Sequence, residues 1–270
     1  MVTGHRRLGP AAIVLCTSLC ACGCDRRPGP DGDADLETHD ADAEVDAAPD
    51  ADADAEADAE DPGLTGTETV DGTTYSFHVP ACVLEGGGPA PVIYSFHGSG
   101  GNGEQMVSAW RPVADAHCLI VIAMDSGDPR GWGFVDDGLR FNDLLWAIDD
   151  VYDIDRSRRY LHGYSAGAHW IYGFGLFYSS TYAGLAVYAG SLDAAILDGI
   201  WPDQVGDPIP VLIAHGTDDA VVPYAEALAA RDELEEAGWP VRLWTAEGGT
   251  HHYDPAHQEE AWLFWEENAP

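Results

Sequence analysis

Gly163-Tyr164-Ser165-Ala166-Gly167 is the stretch whose residue types and spacing could do chemistry. It fits G-x-S-x-G, a pattern in which a serine sits on a strained strand-to-helix turn and small neighbours let the two backbones approach. Strand-like Arg159 to Leu161 precedes it, and an apolar run from Trp170 to Phe177 follows. Such a turn lifts Oγ out of a sheet. It also places Ser165 at a helix N-terminus, where the amide of Ala166 and the helix dipole point toward an oxyanion forming beside the hydroxyl. A serine hydroxyl is a weak nucleophile unless a histidine takes its proton and a carboxylate fixes that histidine's tautomer. Two adjacent pairs of candidates follow in the chain, Asp218 or Asp219 and then His251 or His252.

The elements that must position these groups are legible as alternating strands and helices. Thr73 to Val79 alternates and pairs with Gly66 to Val70 as an opening antiparallel ribbon. Val92 to Phe96, Leu119 to Ala123, Leu185 to Ala189 and Val211 to Ala214 are short apolar runs of the kind buried on both faces of a parallel sheet. Pro240 to Ala246 supplies the last strand. Helices are predicted over Glu104 to His117, over the stretch in which Leu139, Phe141, Leu144, Leu145, Ile148 and Val151 recur, over Tyr224 to Ala237, and from about Pro255 to Glu267. Strands alternating with helices imply an α/β architecture, a mostly parallel sheet covered on both faces.

From about Gly66 to its end the chain resembles the α/β-hydrolases of the polyhydroxybutyrate depolymerase and feruloyl esterase-like group. The resemblance rests on His97-Gly98-Ser99-Gly100, on Tyr152-Asp153-Ile154-Asp155 with Arg158 or Arg159, on the serine motif, on His215-Gly-Thr-Asp-Asp219 with Val222-Pro223-Tyr224, and on Gly248-Gly-Thr-His251. Ala168 and Thr250 stand where that group usually has glycine. The resemblance implies the chain order serine, acid, histidine, and with it Ser165 as nucleophile, Asp219 as the acid and His251 as the base. Asp218 then falls at a variable position, and His252 becomes a neighbour at the mouth. An oxyanion hole from the amides of Ser99 and Ala166 is implied as well. His97, His215, His162 and His169 read as structural, and without a His-Glu-x-x-His motif the chemistry calls for no metal and no cofactor.

The same fold makes the strands next to Cys82 and Cys118 antiparallel neighbours, which implies a disulfide between these two, the only cysteines beyond the N-terminal region. Only about 20 residues separate the Leu185 and Val211 strands, too few for a lid domain. An open cleft would favour short acyl groups, or hydroxycinnamoyl groups stacked on Trp132 or Trp201, on sugars or polymers, or polyhydroxyalkanoate-type polyesters. A serine peptidase and a non-catalytic surface binding module are the competing readings.

Both ends of the composition bear on location. Residues 1–24 carry His5-Arg6-Arg7, an apolar stretch from Ala11 to Leu15 and the small Leu19-Cys20-Ala21-Cys22, and read as an export signal with a lipobox-like end. Cys22 is the expected lipidation site, with Cys24 as the second candidate. Residues 25–63 form an Asp-Ala-rich acidic segment that reads as a disordered tether to a catalytic domain at 64–270. The chain has 47 acidic residues against 12 arginines and lysines, a formal charge of −35. That charge excludes nucleic acid and anionic lipid surfaces as partners. A monomer that meets the membrane only through a lipid anchor, exported to the cell envelope or secreted, is the expectation.

Overall fold

The computed structural model describes residues 63–269. The export signal, the lipidation site at Cys22 and nearly all of the acidic tether lie outside the described residues.

Eight strands form one sheet in the order β1-β2-β4-β3-β5-β6-β7-β8. These are β1 (Leu64–Val70), β2 (Thr73–Val79), β3 (Ala90–Phe96), β4 (Ile120–Met124), β5 (Ile154–Tyr164), β6 (Gly184–Tyr188), β7 (Val211–Gly216) and β8 (Val241–Ala246). The β1–β2 and β2–β4 pairings are antiparallel, and every later pairing is parallel. The helices are α1 (Ala81–Gly86), α2 (Gly103–His117), α3 (Asp136–Val151), α4 (Ala166–Phe177), α5 (Asp193–Leu197), α6 (Tyr224–Glu236) and α7 (His257–Glu267). This is the α/β-hydrolase fold.

Side-chain alternation along each strand divides the core into two layers. Val92, Tyr94 and Phe96 of β3, with Ile120, Ile122 and Met124 of β4, pack toward Phe141 and Leu144 of α3 and Trp170 and Phe174 of α4. The intervening Ile93, Val121 and Ala123 face Met106 and Trp110 of α2 and Trp262 and Trp265 of α7. A strand sandwiched this way must be apolar or give each polar side chain a partner, and β3, β4, β6 and β7 are buried throughout, with Ser95 of β3 bonded to His162 and His215 of β7 to the Val222 carbonyl. The two edge strands are not: β1 is largely exposed and β8 half-buried.

Three elements differ from the sequence expectation. β5 begins at Ile154, opposite Ala90, and its register jumps before Arg159 pairs with Val92. The polar Asp155 to Arg158 segment therefore belongs to the strand, although it lacks strand patterning. α1 and α5 are each a single short turn or two, below the length at which helical periodicity is visible.

Cys82 in α1 and Cys118 after α2 are joined by a disulfide, with Cα atoms 5.7 Å apart. β2 runs into α1 at the end where β4 begins, as the pairing of His78 with Val121 requires.

Candidate active site

β5 ends at Tyr164, α4 begins at Ala166, and Ser165 alone makes the turn with φ 50° and ψ −113°. That backbone conformation costs a non-glycine residue about 1–3 kcal/mol. It persists because both sides of the turn are fixed. Ser165 N–H donates to the carbonyl of Tyr188 at 2.9 Å, and a β-carbon on Gly167 would stand 2.2 Å from the carbonyl oxygen of Phe96. α4 can begin this close to the end of β3 only because Gly167 has no side chain.

Three side chains from three loops at the carboxyl edge of the sheet meet here. Ser165 Oγ lies 2.9 Å from His251 Nε2, and His251 Nδ1 lies 2.7 Å from Asp219 Oδ2. Asp219 Oδ1 accepts the amides of Val221 and Val222 at 2.8 and 2.9 Å. Burial of the Asp219 carboxyl disfavours its charge, but hydrogen bonds from His251, Val222 and Val221 outweigh this and hold it below the usual carboxylate range. An ionised Asp219 fixes the proton on His251 Nδ1, which leaves Nε2 to accept from the serine hydroxyl. Asp218 and His252 point elsewhere: Asp218 is exposed, and His252 Nδ1 bonds Thr250 Oγ1 at 2.8 Å.

The loop after β3 carries Ser99. Its hydroxyl donates to the carbonyl of Arg130 at 2.7 Å, and Gly100 N–H donates to that of Pro129 at 2.7 Å. Trp132 Nε1 donates to the carbonyl of His97 at 2.8 Å. The far side of this strap is held by buried Asp137, which accepts the amides of Gly127 and Gly133 and pairs with Arg140. The amides of Ser99 and Ala166 donate to no acceptor among the described residues, which leaves both able to serve an incoming oxygen.

Of the two tryptophans expected at the cleft, Trp132 is half-buried beside His97, on the strap that packs near Ala166. Trp201 is not brought to this group. The neighbouring Pro202 carbonyl accepts from Trp239 Nε1 at 3.0 Å, and Trp239 leads into the amino end of β8. The chain must return there to enter β7 from the same edge, so Trp201 lies at the end of the sheet remote from Ser165.

Residue patterns did not point to the groups that hold the histidine loop. Tyr164 Oη donates to the carbonyl of His251 at 2.7 Å, and Tyr188 Oη to that of His252 at 2.9 Å. His215 is fully buried, with Nε2 donating to the carbonyl of Val222 at 2.8 Å while standing 3.4 Å from Asp219 Oδ2. His169 Nδ1 accepts from Ser191 N–H at 2.9 Å. The variable position of G-x-S-x-G is where a sequence signal existed, since an aromatic beside the serine sits where the last loop must pass.

The arrangement can remove a hydroxyl proton into a braced imidazole at the N-terminus of a helix, which is the geometry of a serine nucleophile. No group of metal-ligating side chains is found among the described residues.

No protein-family model matches the chain, and no curated protein matches it in sequence. Solved structures do match in fold. A ferulic acid esterase aligns with a TM-score of 0.60 at 14% identity, over 76% of this chain and 97% of that one. An S-formylglutathione hydrolase from Agrobacterium tumefaciens aligns with 0.62 at 16% identity, over 78% and 97%. A puromycin-hydrolyzing peptidase from Mycobacterium tuberculosis aligns with 0.60 at 18% identity, over 77% of this chain and 39% of that one. At these identities the likeness is one of fold, and it places the chain among proteins with the α/β-hydrolase fold.

Proposed function

We propose that the protein is a serine esterase that hydrolyses carboxylic esters through an acyl-enzyme. The observation that carries this reading is the continuous chain from Ser165 Oγ through His251 to Asp219, set on a strained turn. Ser165 Oγ attacks the ester carbonyl as its proton passes to His251 Nε2. The tetrahedral oxyanion is held by the amides of Ser99 and Ala166. Collapse breaks the carbon–oxygen bond to the alcohol, which leaves with the proton from His251. Water then gives a proton to His251, attacks the acyl carbon, and the acid departs as Ser165 recovers its hydrogen. Asp219 stays ionised throughout and stabilises the imidazolium.

The connection from β6 to β7 supports a preference for small acyl groups, because its helical part is only the five residues of α5. Without a lid, each methylene of a long acyl chain forgoes about 0.8 kcal/mol of burial. Trp132 provides an aromatic wall for acetyl or hydroxycinnamoyl esters of sugars or polymers. The chain spans 97% of the ferulic acid esterase and of the S-formylglutathione hydrolase but 39% of the peptidase, which supports this reading over peptide hydrolysis. We further read Cys22 as the lipid attachment site of an exported protein.

Kinetics of the full chain without its leader test the reading. Ser165→Ala and His251→Ala should each lower kcat on acetate esters by roughly a thousandfold or more with the melting temperature little changed. Acetate and methyl ferulate esters should give higher kcat/KM than palmitate, and a maximum at palmitate would contradict the open cleft.

A further inference from the structure

Between α3 and α4, apart from the serine group, lies a cavity of about 480 Å³, within the size range of ligand pockets. Phe134, Phe141, Leu145 and Phe174 wall it, while Leu139 and Trp146 stand largely exposed at its mouth. Phe174 is nine residues along α4 from Ser165, roughly 13 Å at the helical rise. None of the lining residues is acidic, and its one charged member is Arg159, which is 6% exposed. In a chain so rich in carboxylates, a pocket lined without one is a selective feature.

The polar groups behind the pocket are not all satisfied. Buried Asp149 accepts from Arg159 and also pairs with Arg156 at 3.0 Å, so one carboxylate serves two guanidinium groups. Arg159 Nε is buried with no acceptor, and the hydroxyl of Tyr94, whose ring packs edge-on against Phe141, is likewise buried without a partner. A buried donor without an acceptor costs about 1–3 kcal/mol, and an anion entering the pocket would supply the missing acceptor.

We propose that this cavity binds an aromatic monocarboxylate, with its ring against the aromatic wall that Phe134 and Phe174 form together and its carboxylate accepting from the Arg159 guanidinium. The aromatic walls favour a flat ring in edge or offset contact, and the buried arginine favours one negative charge at the inner end. The site is separate from ester hydrolysis and does not depend on it.

Calorimetric titration of the full chain with 2-naphthoate tests the assignment, using 2-naphthalenemethanol as the uncharged counterpart. 2-Naphthoate should bind one per chain and at least about tenfold more tightly than the alcohol, because only the carboxylate completes the arginine. Leu139→Glu places a like charge at the mouth, and Asn142→Trp fills the entrance. Both positions are exposed on α3, so neither change threatens the fold. Each should weaken 2-naphthoate by about tenfold or more and leave the melting temperature unchanged. No binding of 2-naphthoate at millimolar concentration, equal binding of the alcohol, or unchanged affinity in both variants would overturn the proposal.

Discussion

The phenol of Tyr164 donates to the backbone carbonyl of His251 at 2.7 Å, so the residue beside the nucleophile also holds the loop that carries the base. The tyrosine ring is stacked at an angle over the His251 ring, with centroids 5.6 Å apart. Serine and histidine thus share one anchor, and their separation does not depend on the histidine loop alone.

Removing that anchor should disturb geometry more than binding. Tyr164→Phe deletes one hydrogen bond worth about 1 kcal/mol and keeps the ring. We predict a fall in kcat of about fivefold, with KM changed less than twofold, on acetate esters. An unchanged kcat would show that the histidine loop holds its place without the phenol.

A second prediction concerns acid. Beneath the histidine loop, His162 and His257 are both buried, with their Nε2 atoms 3.1 Å apart. Ser95 Oγ faces His162 Nδ1, the carbonyl of Asp254 faces His257 Nδ1, and Tyr253 Oη faces His162 Nε2. Burial penalises the charged forms, pulling His257 down to about 4 and His162 well below its ordinary value. In each case the folded-state pKa is below that of the unfolded chain. Stability is therefore complete above the ordinary histidine range and is lost as pH falls from there toward about 4. Urea denaturation should show a loss on the order of 2 kcal/mol between pH 7 and pH 5, and His257→Gln should flatten that slope. A stability that stays level across this interval would contradict the assignment of neutral buried imidazoles.

The Cys82–Cys118 bridge closes a segment of the chain with a sequence separation of 36, tying α1 to the start of β4. Constraining a loop of that size in the unfolded chain contributes about 4 kcal/mol. A Cys82→Ala, Cys118→Ala double variant should unfold at correspondingly lower urea and keep its kcat, since the bridge sits at the edge of the sheet opposite Ser165. Two alkylatable thiols in the native protein purified from an oxidising compartment would remove the basis for this expectation.

The sheet was readable because its central strands are buried on both faces. Runs such as Val92 to Phe96 and Val211 to Ala214 have no charged residue, glycine or proline to mistake for a loop. Asp155 to Arg158 defeats the same logic, since those residues fall in the irregularity between the Ile154–Ala90 and Arg159–Val92 pairs, before β5 enters the covered part of the sheet. The candidate site was legible in part because backbone strain and close packing demand particular small residues around Ser165. A β-carbon on Gly98, for instance, would stand 3.2 Å from Ser165 Cβ. Trp201 shows the limit: a pattern gives a loop residue its neighbours in sequence, but not which end of the sheet the loop returns to. The phenols of Tyr164 and Tyr188 bond backbone carbonyls, and such contacts leave no partner residue for a sequence to reveal.

The central claim is that Ser165 is an activated nucleophile. Incubation of the folded protein with a fluorophosphonate, followed by intact-mass and peptide mass spectrometry, tests it directly. The account predicts one adduct per chain, on Ser165, formed in step with loss of ester hydrolysis and absent from Ser165→Ala. A folded protein that cleaves acetate esters yet takes no adduct on Ser165, or takes it on another residue, would contradict it.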